Sequence, residues 1–278
     1  MEVGEGVAER EPATEQAGTG AGRIDTAIRS WVIYHKPFPE IPDVPWMRIA
    51  AKNGFRPSDG REYAAVDTGD HIDALSPSWA EFTVLYWVWR NAEPTPWVSF
   101  PHYRRHFFHL LDHEVTIERV AHFDPAPATL GVIASRENHL AALARLEHND
   151  CIVPVRIAFP MGVARQFQKV HGEHNWKVFL DHVGRLGEEW RRHRGWFDTA
   201  TRIHPYQMFV MRWRDFDEYM ATAVALMSSM HEELEIPAEG YQQRAPAYLM
   251  ERFLNLYLHV KRLRLAETPV LLLEPGCK

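Results

Sequence analysis

The residues best suited to chemistry lie in the segment 97–107, WVSFPHYRRHF. A β-prone apolar run ends there at a proline, and four polar residues follow it: His102, Tyr103, Arg104 and Arg105. A guanidinium offers a fixed fork of donors that matches phosphate oxygens, and open α/β sheets bind ligands beyond the carboxyl ends of their strands. The segment therefore predicts a site for a nucleotide diphosphate. The alternative interpretation is a surface arginine pair beside core aromatic residues.

Further candidates lie in an acidic loop and in two helical segments. Asp67 and Asp70 stand on either side of a Thr-Gly pair, and their oxygens suit a ribose or a hard cation, although Asp and Gly also favour plain turns. Glu81 closes the sequence Ser-Trp-Ala-Glu, which predicts a capping box and a structural role for that carboxylate. His171 and His174 are three residues apart, a spacing that on a helix would bring both to one ligand.

Length and composition favour a globular enzyme. The chain has 278 residues, of which 46% are hydrophobic and 24% charged, and its formal net charge is -6. This balance argues against a general nucleic-acid binder. No apolar run approaches the about 18 residues of a membrane span. Cys151 and Cys277 form neither a CxxC motif nor a disulfide scaffold, so a cytoplasmic protein is expected.

Familiar cofactor and catalytic fingerprints are absent from the sequence. It contains no GxGxxG, GxxxxGK[ST], HExxH or GxSxG pattern. Flavin or nicotinamide binding through a Rossmann fingerprint is therefore unsupported, and neither cofactor is expected.

Alternating β-prone and helical segments predict an α/β fold in one domain over residues 24–278. The preceding residues 1–23 are rich in Gly, Ala and Glu with almost nothing to bury, so they are predicted to be a disordered leader. They lack the apolar core of a signal peptide. Strands are predicted at 31–34, 97–100, 150–155, 207–211 and 268–273. Helices are predicted at 78–91, 137–147, 162–195 (one or two helices), 215–231 and 246–263, with loops at 37–45 and 63–76.

Four strings of the chain occur in this order in one bacterial family: EFTVLYWVWRN (81–91), VSFPHYRRHF (98–107), YQMFVMRWRDFDEYM (206–220) and RAPAYLMERFLNLYL (244–258). The segments YHKPF and DTGDHI also look like its early segments. Over residues 31–260 the chain thus resembles capsular-polysaccharide and exopolysaccharide glycosyltransferases long described only as a domain of unknown function. The resemblance implies a GT-A-like, Rossmann-like nucleotide-sugar fold, with a mixed central sheet and flanking helices.

The chain departs from the family pattern at a few positions. His106 replaces the second aromatic residue of the usual HYRRYF, EFT replaces ELT, and Pro101 stands where small or thiol residues are commoner. Ala247-Tyr248 stands where Gly-Tyr is usual. These departures leave the expected fold intact and bear on the identity of the donor and the acceptor.

The resemblance implies chemistry at an anomeric carbon whose leaving group is a nucleoside diphosphate. Positioned cations stabilise such a departing charge, so Arg104 and Arg105 are the expected stabilising groups. The candidate ligands of an assisting divalent cation, Mg2+ or Mn2+, are Asp67, Asp70 and His102.

The candidate site residues fall into two groups. The candidate catalytic residues, as bases or ligands of sugar hydroxyls, are His35, Glu81, His102 and Glu251. The candidate nucleotide-sugar contacts are Lys36, Asp67, Asp70, Tyr86, Tyr103, Arg104, Arg105, Tyr206, Met208 and Arg244.

Three functions stay open at this point. The first is a glycosyltransferase with a UDP- or GDP-sugar donor and a small-molecule or glycan acceptor, in polysaccharide or antibiotic-type metabolite synthesis. The second is a flavin-independent pyranose–furanose mutase, in which the ring of a UDP- or GDP-sugar opens and recloses. The third is a non-catalytic nucleotide-sugar binder whose aromatic residues stack on the ligand. Transfer is preferred, because it is the activity ascribed to most of the family.

Overall fold

The structure, a computed structural model, describes residues 27–58, 60–110 and 120–277. The predicted leader over residues 1–23 lies outside the described residues. The described residues form an α/β fold, as the alternating pattern predicts. None of the described helices combines the length and the apolar character that crossing a bilayer requires.

The described residues form strands in three sheets. The strands are β1 (Ile28–Tyr34), β2 (Met47–Ala51), β3 (Tyr63–Ala65), β4 (Trp97–Ser99), β5 (Arg105–Phe107), β6 (Val120–Phe123), β7 (Cys151–Pro154), β8 (Ile157–Ala158), β9 (Arg202–Ile203), β10 (Val210–Arg212), β11 (Leu265–Thr268) and β12 (Val270–Leu273). The large sheet has the order β11-β7-β10-β4-β1-β2-β3, a second sheet has the order β5-β12-β6, and β8 pairs with β9.

Helices cover the sheets and link their strands. They are α1 (Ser76–Trp79), α2 (Phe82–Asn91), α3 (Pro127–Ile133), α4 (Arg136–Leu146), α5 (Val163–His171), α6 (Glu173–Arg185), α7 (Glu188–His193), α8 (Trp196–Thr199), α9 (Trp213–Met230) and α10 (Ala245–Val260). Short 3-10 turns occupy Asp73–Leu75, His231–Glu233 and Tyr241–Arg244.

The large sheet has one reversed strand and one switch point. β10 is antiparallel to β4 and β7, whereas the other neighbouring pairs are parallel. The chain leaves β1 for β2 on one side and later places β4 on the other side of β1. Such a reversal of strand order opens a crevice at the carboxyl ends of the strands. The segments after β1, β4 and β7, and the segment before β10, therefore meet at one edge.

Apolar side chains cover both faces of this sheet. Val32 and Ile33 are adjacent in β1 and therefore point to opposite faces. Ile33 joins a large cluster with Leu85 of α2 and Phe253 of α10. Val32 joins a second cluster with Leu130 of α3. A sheet buried on both faces is a rigid support for the loops at its edge.

The predicted helix over residues 78–91 is broken in the structure. α1 ends at Trp79, Ala80 has a φ of 46°, and α2 begins at Phe82. The predicted capping box is therefore wrong, because Ser78 lies inside α1 and neither α1 nor α2 has a side-chain cap at its first turn. The bend at Ala80 frees this carboxylate for another role.

Three other predicted elements also differ from the structure. Residues 63–76, predicted as loop, include β3 and a 3-10 turn. The segment 162–195 forms three helices, because two glycines with positive φ separate them. The predicted last strand, 268–273, is divided at Pro269 into β11 and β12, which belong to different sheets. Proline has no N–H for a sheet ladder, which suits it to this crossing point.

Candidate functional site

A cleft with a volume of about 460 Å³ opens at the carboxyl edge of the large sheet. Its walls come from the segments that follow β1, β4 and β7, the segment before β10, and the first turns of α10. The switch point of the sheet brings these segments together, so residues far apart in sequence meet in the cleft.

The segment His102–Arg105 forms a tight turn at this edge. The N–H of His102 donates to the carbonyl of Arg105 at 2.9 Å, and the N–H of Arg105 donates back to the carbonyl of His102 at 3.0 Å. The N–H of Tyr103 donates to the carbonyl of Ile33 at 2.9 Å, which joins the turn to β1. The Tyr103 side chain is buried, while Arg104 and Arg105 line the cleft.

Three cationic side chains of the cleft have no carboxylate partner among the described residues: Lys36, Arg104 and Arg105. The guanidinium of Arg105 lies 4.8 Å from the ring centre of Tyr206, and Lys36 Nζ lies 5.6 Å from that of Tyr103. Nε of Arg104 is buried without a hydrogen-bond partner. Aromatic faces orient cations without neutralising their charge. The charge and the donors of these three side chains suit a diphosphate, and we call the group the candidate anion site.

Glu81 places a carboxylate in the same cleft, 3.3 Å from the guanidinium of Arg244. The positive φ of Ala80 directs it there, and Lys52 Nζ fixes the bend by donating to the Ala80 carbonyl at 2.7 Å. Burial opposes ionisation of Glu81, but the charge that His102 carries once it is protonated, together with the charges of Lys52 and Arg244, outweighs burial and lowers the pKa of Glu81 to about 2. The carboxylate is therefore ionised at neutral pH.

His102 is a buried imidazole at the cleft surface, with 4% of its area exposed. Neither of its ring nitrogens has a hydrogen-bond partner in the part of the chain that the structure describes. Burial lowers the pKa of His102 to about 4 against the opposing charge of Glu81, so the ring is neutral at pH 7. Buried polar atoms without partners are rare in folded proteins. His102 is thus available to accept a proton or a hydrogen bond from a ligand.

His35 is a second imidazole in the cleft, and it lies close to both Glu81 and the His102–Arg105 turn. Its ring packs edge-on against Tyr103 with 4.9 Å between ring centres. Burial lowers the pKa of His35, and the neighbouring Glu81 charge partly opposes this shift. The cleft therefore holds two neutral imidazoles beside one carboxylate at pH 7.

Glu251 shapes a wall of the cleft through two hydrogen bonds. One carboxylate oxygen accepts the N–H of Tyr206 at 2.6 Å, and the other accepts the guanidinium of Arg252 at 2.6 Å. Tyr206 and Gln207 have φ values of 76° and 54°, a conformation that costs a non-glycine residue on the order of 1 kcal/mol or more. Glu251 therefore stabilises the strained segment 206–207. The ring of Tyr206 in this segment lies against the guanidinium of Arg105.

The structure brings ten of the predicted site residues to the cleft. They are His35, Lys36, Glu81, His102, Tyr103, Arg104, Arg105, Tyr206, Arg244 and Glu251. These residues come from five separate segments of the chain, and no spacing in the sequence places them together.

The other four predicted contacts, Asp67, Asp70, Tyr86 and Met208, do not line the cleft. The hydroxyl of Tyr86 donates to one oxygen of Asp70 at 2.9 Å, and Arg90 donates to the other at 2.7 Å. Both oxygens of Asp70 are thereby occupied by protein donors. Met208 is fully buried in the core.

The structure also corrects the predicted cation ligands, because Asp67 and Asp70 do not meet His102 in the cleft. The carboxylates that do line the cleft are Glu81 and Glu251. Glu81 lies beside Arg244 and the buried Lys52. Both carboxylate oxygens of Glu251 already accept hydrogen bonds from the protein. Hard divalent cations need several free oxygen ligands. The residues present in the cleft do not supply them.

A different group of side chains has the types and spacing of metal ligands. His122, Glu274 and Cys277 hold their ligand atoms within 4.8 Å of one another. They are the one such group of three found over residues 27–58, 60–110 and 120–277, and none of them lines the cleft. An imidazole, a carboxylate and a thiolate are donors that zinc accepts. A metal ion bound by these three side chains would therefore have no ligand from the cleft among them.

His171 and His174 do not share a ligand, an arrangement that their spacing allowed but that a lone histidine pair did not by itself predict. Gly172 separates α5 from α6, so the two histidines lie on different helices. Nδ1 of His171 contacts the side-chain oxygen of Gln242 at 2.9 Å, and Nε2 of His174 contacts the carbonyl of Glu233 at 2.9 Å. His171 instead lines the cleft.

The cleft contains further side chains that the sequence analysis did not assign to it: Gln166, Gln207, Tyr241, Tyr248 and Arg252. Arg252 is 2% exposed and donates to Glu251 at 2.6 Å and to Gln166 at 2.7 Å. The sequence did contain a sign of this role, because Arg252 stands within the apolar run of the last helix and a buried arginine requires polar partners.

Comparison with known proteins identifies the family. Residues 29–262 match the family described as Domain of unknown function (DUF4422). The chain belongs to this family. No curated protein matches the chain.

Among solved structures, the chain is similar to the apo structure of WbbM, a bifunctional glycosyltransferase, with 19% sequence identity and a TM-score of 0.79. The match covers 89% of this chain and 45% of that chain, so this chain spans less than half of that protein's length. The likeness confirms the GT-A-like fold that the resemblance implied.

Proposed function

We propose that the cleft binds a nucleotide sugar through its diphosphate and catalyses attack on the anomeric carbon of the sugar, as a glycosyltransferase. The observation that supports this most strongly is that one cleft combines the unpaired cations Lys36, Arg104 and Arg105 with Glu81 and the unpartnered His102. The cations suit a departing diphosphate, and the imidazole suits a proton acceptor.

In the proposed reaction, the oxygen of an acceptor hydroxyl bonds to C1 of the sugar while the bond from C1 to the diphosphate oxygen breaks. The electron pair of that bond leaves with the nucleoside diphosphate, whose new negative charge is stabilised by Arg104 and Arg105. The hydroxyl proton passes to His102, whose nitrogens have no protein partner. Glu81 stabilises the imidazolium, because its charge raises the pKa of His102.

The proposed donor is a UDP- or GDP-sugar, and the proposed acceptor is a small molecule or a glycan. The family resemblance and the glycosyltransferase with a similar fold support a place in bacterial polysaccharide or specialised-metabolite synthesis. The proposed compartment is the cytoplasm, where nucleotide sugars are made. Neither a flavin nor NAD takes part in the proposed reaction.

The test is NMR of the purified protein with a panel of UDP- and GDP-sugars, with and without manganese, and without acceptor. Slow release of nucleoside diphosphate, lost in Arg104→Ala, would support transfer, because a transferase hydrolyses its donor slowly when no acceptor is present. Formation of a furanosyl nucleotide while the total amount of nucleotide sugar stays constant would show that the reaction is ring isomerisation and not transfer. Binding without any conversion would leave only a binding module.

A further inference from the structure

One part of the cleft is aromatic and uncharged. His171 of α5 is stacked on two tyrosines, with its ring centre 5.7 Å from that of Tyr241 and 4.5 Å from that of Tyr248, and the two tyrosine rings lie 5.8 Å from each other. Tyr241 itself is 60% exposed. We call these three side chains the aromatic wall. Burial lowers the pKa of His171, so this ring is neutral at pH 7 and the wall presents flat, uncharged faces.

The aromatic wall is joined to the carboxylate of the cleft. Tyr241 and Arg244 are the two ends of one 3-10 turn, and the guanidinium of Arg244 lies 3.3 Å from Glu81. The candidate anion site is carried by other segments, since Arg104 and Arg105 belong to the turn after β4. The wall therefore adjoins Glu81, the carboxylate that stabilises a protonated His102 in the proposed reaction.

One amide side chain, that of Gln166, accompanies the aromatic wall. The side-chain oxygen of Gln166 accepts a hydrogen bond from Arg252 at 2.7 Å, which leaves its amide N–H groups without a partner in the described chain. Gln166 lines the cleft as the wall does. Flat aromatic faces with a few convergent amide donors suit a ligand that has apolar C–H faces and a hydroxyl rim.

We infer that the aromatic wall is the acceptor subsite, and that it binds a neutral hexopyranosyl ring with one face on Tyr241 and a hydroxyl near Gln166. This inference rests on the proposed function. In a nucleotide sugar the base and the reacting carbon are at opposite ends of the diphosphate. A subsite joined to Glu81 is therefore on the sugar side, where the acceptor must approach.

The test is saturation-transfer-difference NMR with methyl α- and β-glycosides of glucose, galactose, mannose and 6-deoxygalactose, each with and without saturating UDP or GDP. At least one glycoside should receive saturation from the wild-type protein. Tyr241→Ala should weaken its binding by about fivefold and leave the affinity for UDP or GDP unchanged. Tyr241→Phe keeps the ring and should behave as wild type. Tyr63→Ala is the matched control, because Tyr63 is an exposed tyrosine outside the cleft.

Two outcomes would overturn the inference. In the first, no glycoside receives saturation under any condition. In the second, Tyr241→Ala weakens UDP or GDP binding, which would make the wall a base-stacking subsite. Failure of the wild-type protein to bind UDP or GDP, with glycoside binding intact and dependent on Tyr241, would instead count against the proposed function alone.

Discussion

Glu251 accepts the backbone N–H of Tyr206 at 2.6 Å, and the ring of Tyr206 lies 4.8 Å from the guanidinium of Arg105. One carboxylate of α10 thereby connects the last helix to the candidate anion site. Its second oxygen accepts the buried guanidinium of Arg252 at 2.6 Å. Because both of its oxygens accept hydrogen bonds from the protein, we propose that Glu251 is a positioning residue rather than the base or hydroxyl ligand that the sequence suggested.

Removal of this carboxylate should destabilise the fold. Glu251→Ala leaves Arg252 buried without its charge partner and releases the strained backbone of Tyr206. We expect the free energy of unfolding, measured by urea denaturation, to fall by about 3 kcal/mol or more. Glu239→Ala is the control, because Glu239 is exposed, and its loss should stay within about 0.5 kcal/mol. Equal effects of the two substitutions would contradict the proposed positioning role.

The bend before Glu81 predicts an unusual response to glycine. Ala80 has a φ of 46°, a conformation that glycine adopts without the steric cost of a Cβ. We expect Ala80→Gly to leave the melting temperature unchanged or to raise it. Ala221→Gly, at an exposed position inside α9, should lower the free energy of unfolding by about 1 kcal/mol and so lower the melting temperature. A similar fall in melting temperature in both variants would show that Ala80 is not strained.

Much of the fold could be predicted from the sequence, because the pattern of apolar residues along the chain marks the elements that have one uninterrupted strand or helix. The apolar run of β4 and the helical pattern of α4 fall within a residue or two of their predicted bounds. The predicted helix 78–91 failed because its pattern is helical on both sides of Ala80, and only tertiary contacts make the bend. Lys52, which fixes that bend, lies far from it in sequence.

The candidate site was predictable where its residues are consecutive. The residues His102–Arg105 are consecutive and form one turn, so the sequence alone shows that their side chains lie close together. Asp70 looked equally suitable, but it is occupied by Tyr86 and Arg90, and a sequence does not show which polar groups already have partners. The aromatic wall was missed for the related reason that stacked rings contributed by separate elements leave no local pattern.

Buried histidines predict a loss of stability in mild acid. Burial lowers the pKa of His102 and of His106 to about 4 and that of His109 to about 3. As the pH falls below about 6.5, the unfolded chain takes up protons that the folded chain does not bind until the pH reaches those lower values. The unfolding free energy should therefore fall by up to about 1.4 kcal/mol per pH unit for each histidine.

Urea denaturation at several pH values between 7 and 4 measures this slope. His106→Phe removes one of the three titrating groups and should reduce the slope by up to about 1.4 kcal/mol per pH unit. An unfolding free energy that does not change over this range would contradict the neutral, buried state of these rings.

The carboxylate of Glu81 should affect turnover more than nucleotide binding. Glu81→Gln keeps the shape of the side chain and removes the charge that stabilises a protonated His102. We expect donor turnover to fall by about 100-fold while the affinity for UDP or GDP changes less than about threefold. Glu93→Gln, at an exposed position outside the cleft, should change neither. Normal turnover in Glu81→Gln would remove Glu81 from the proposed mechanism.

The most direct test of the central claim is isothermal titration calorimetry of UDP and GDP against four proteins. These are the wild type, Arg104→Ala, Arg105→Ala and the control Arg165→Ala, which replaces an exposed arginine outside the cleft. We expect one of the two nucleotides to bind the wild type and Arg165→Ala equally. Each cleft substitution should weaken the binding of that nucleotide by about tenfold or more and reduce the dependence of its affinity on salt. Unchanged nucleotide affinity in both Arg104→Ala and Arg105→Ala would show that these arginines do not bind the diphosphate.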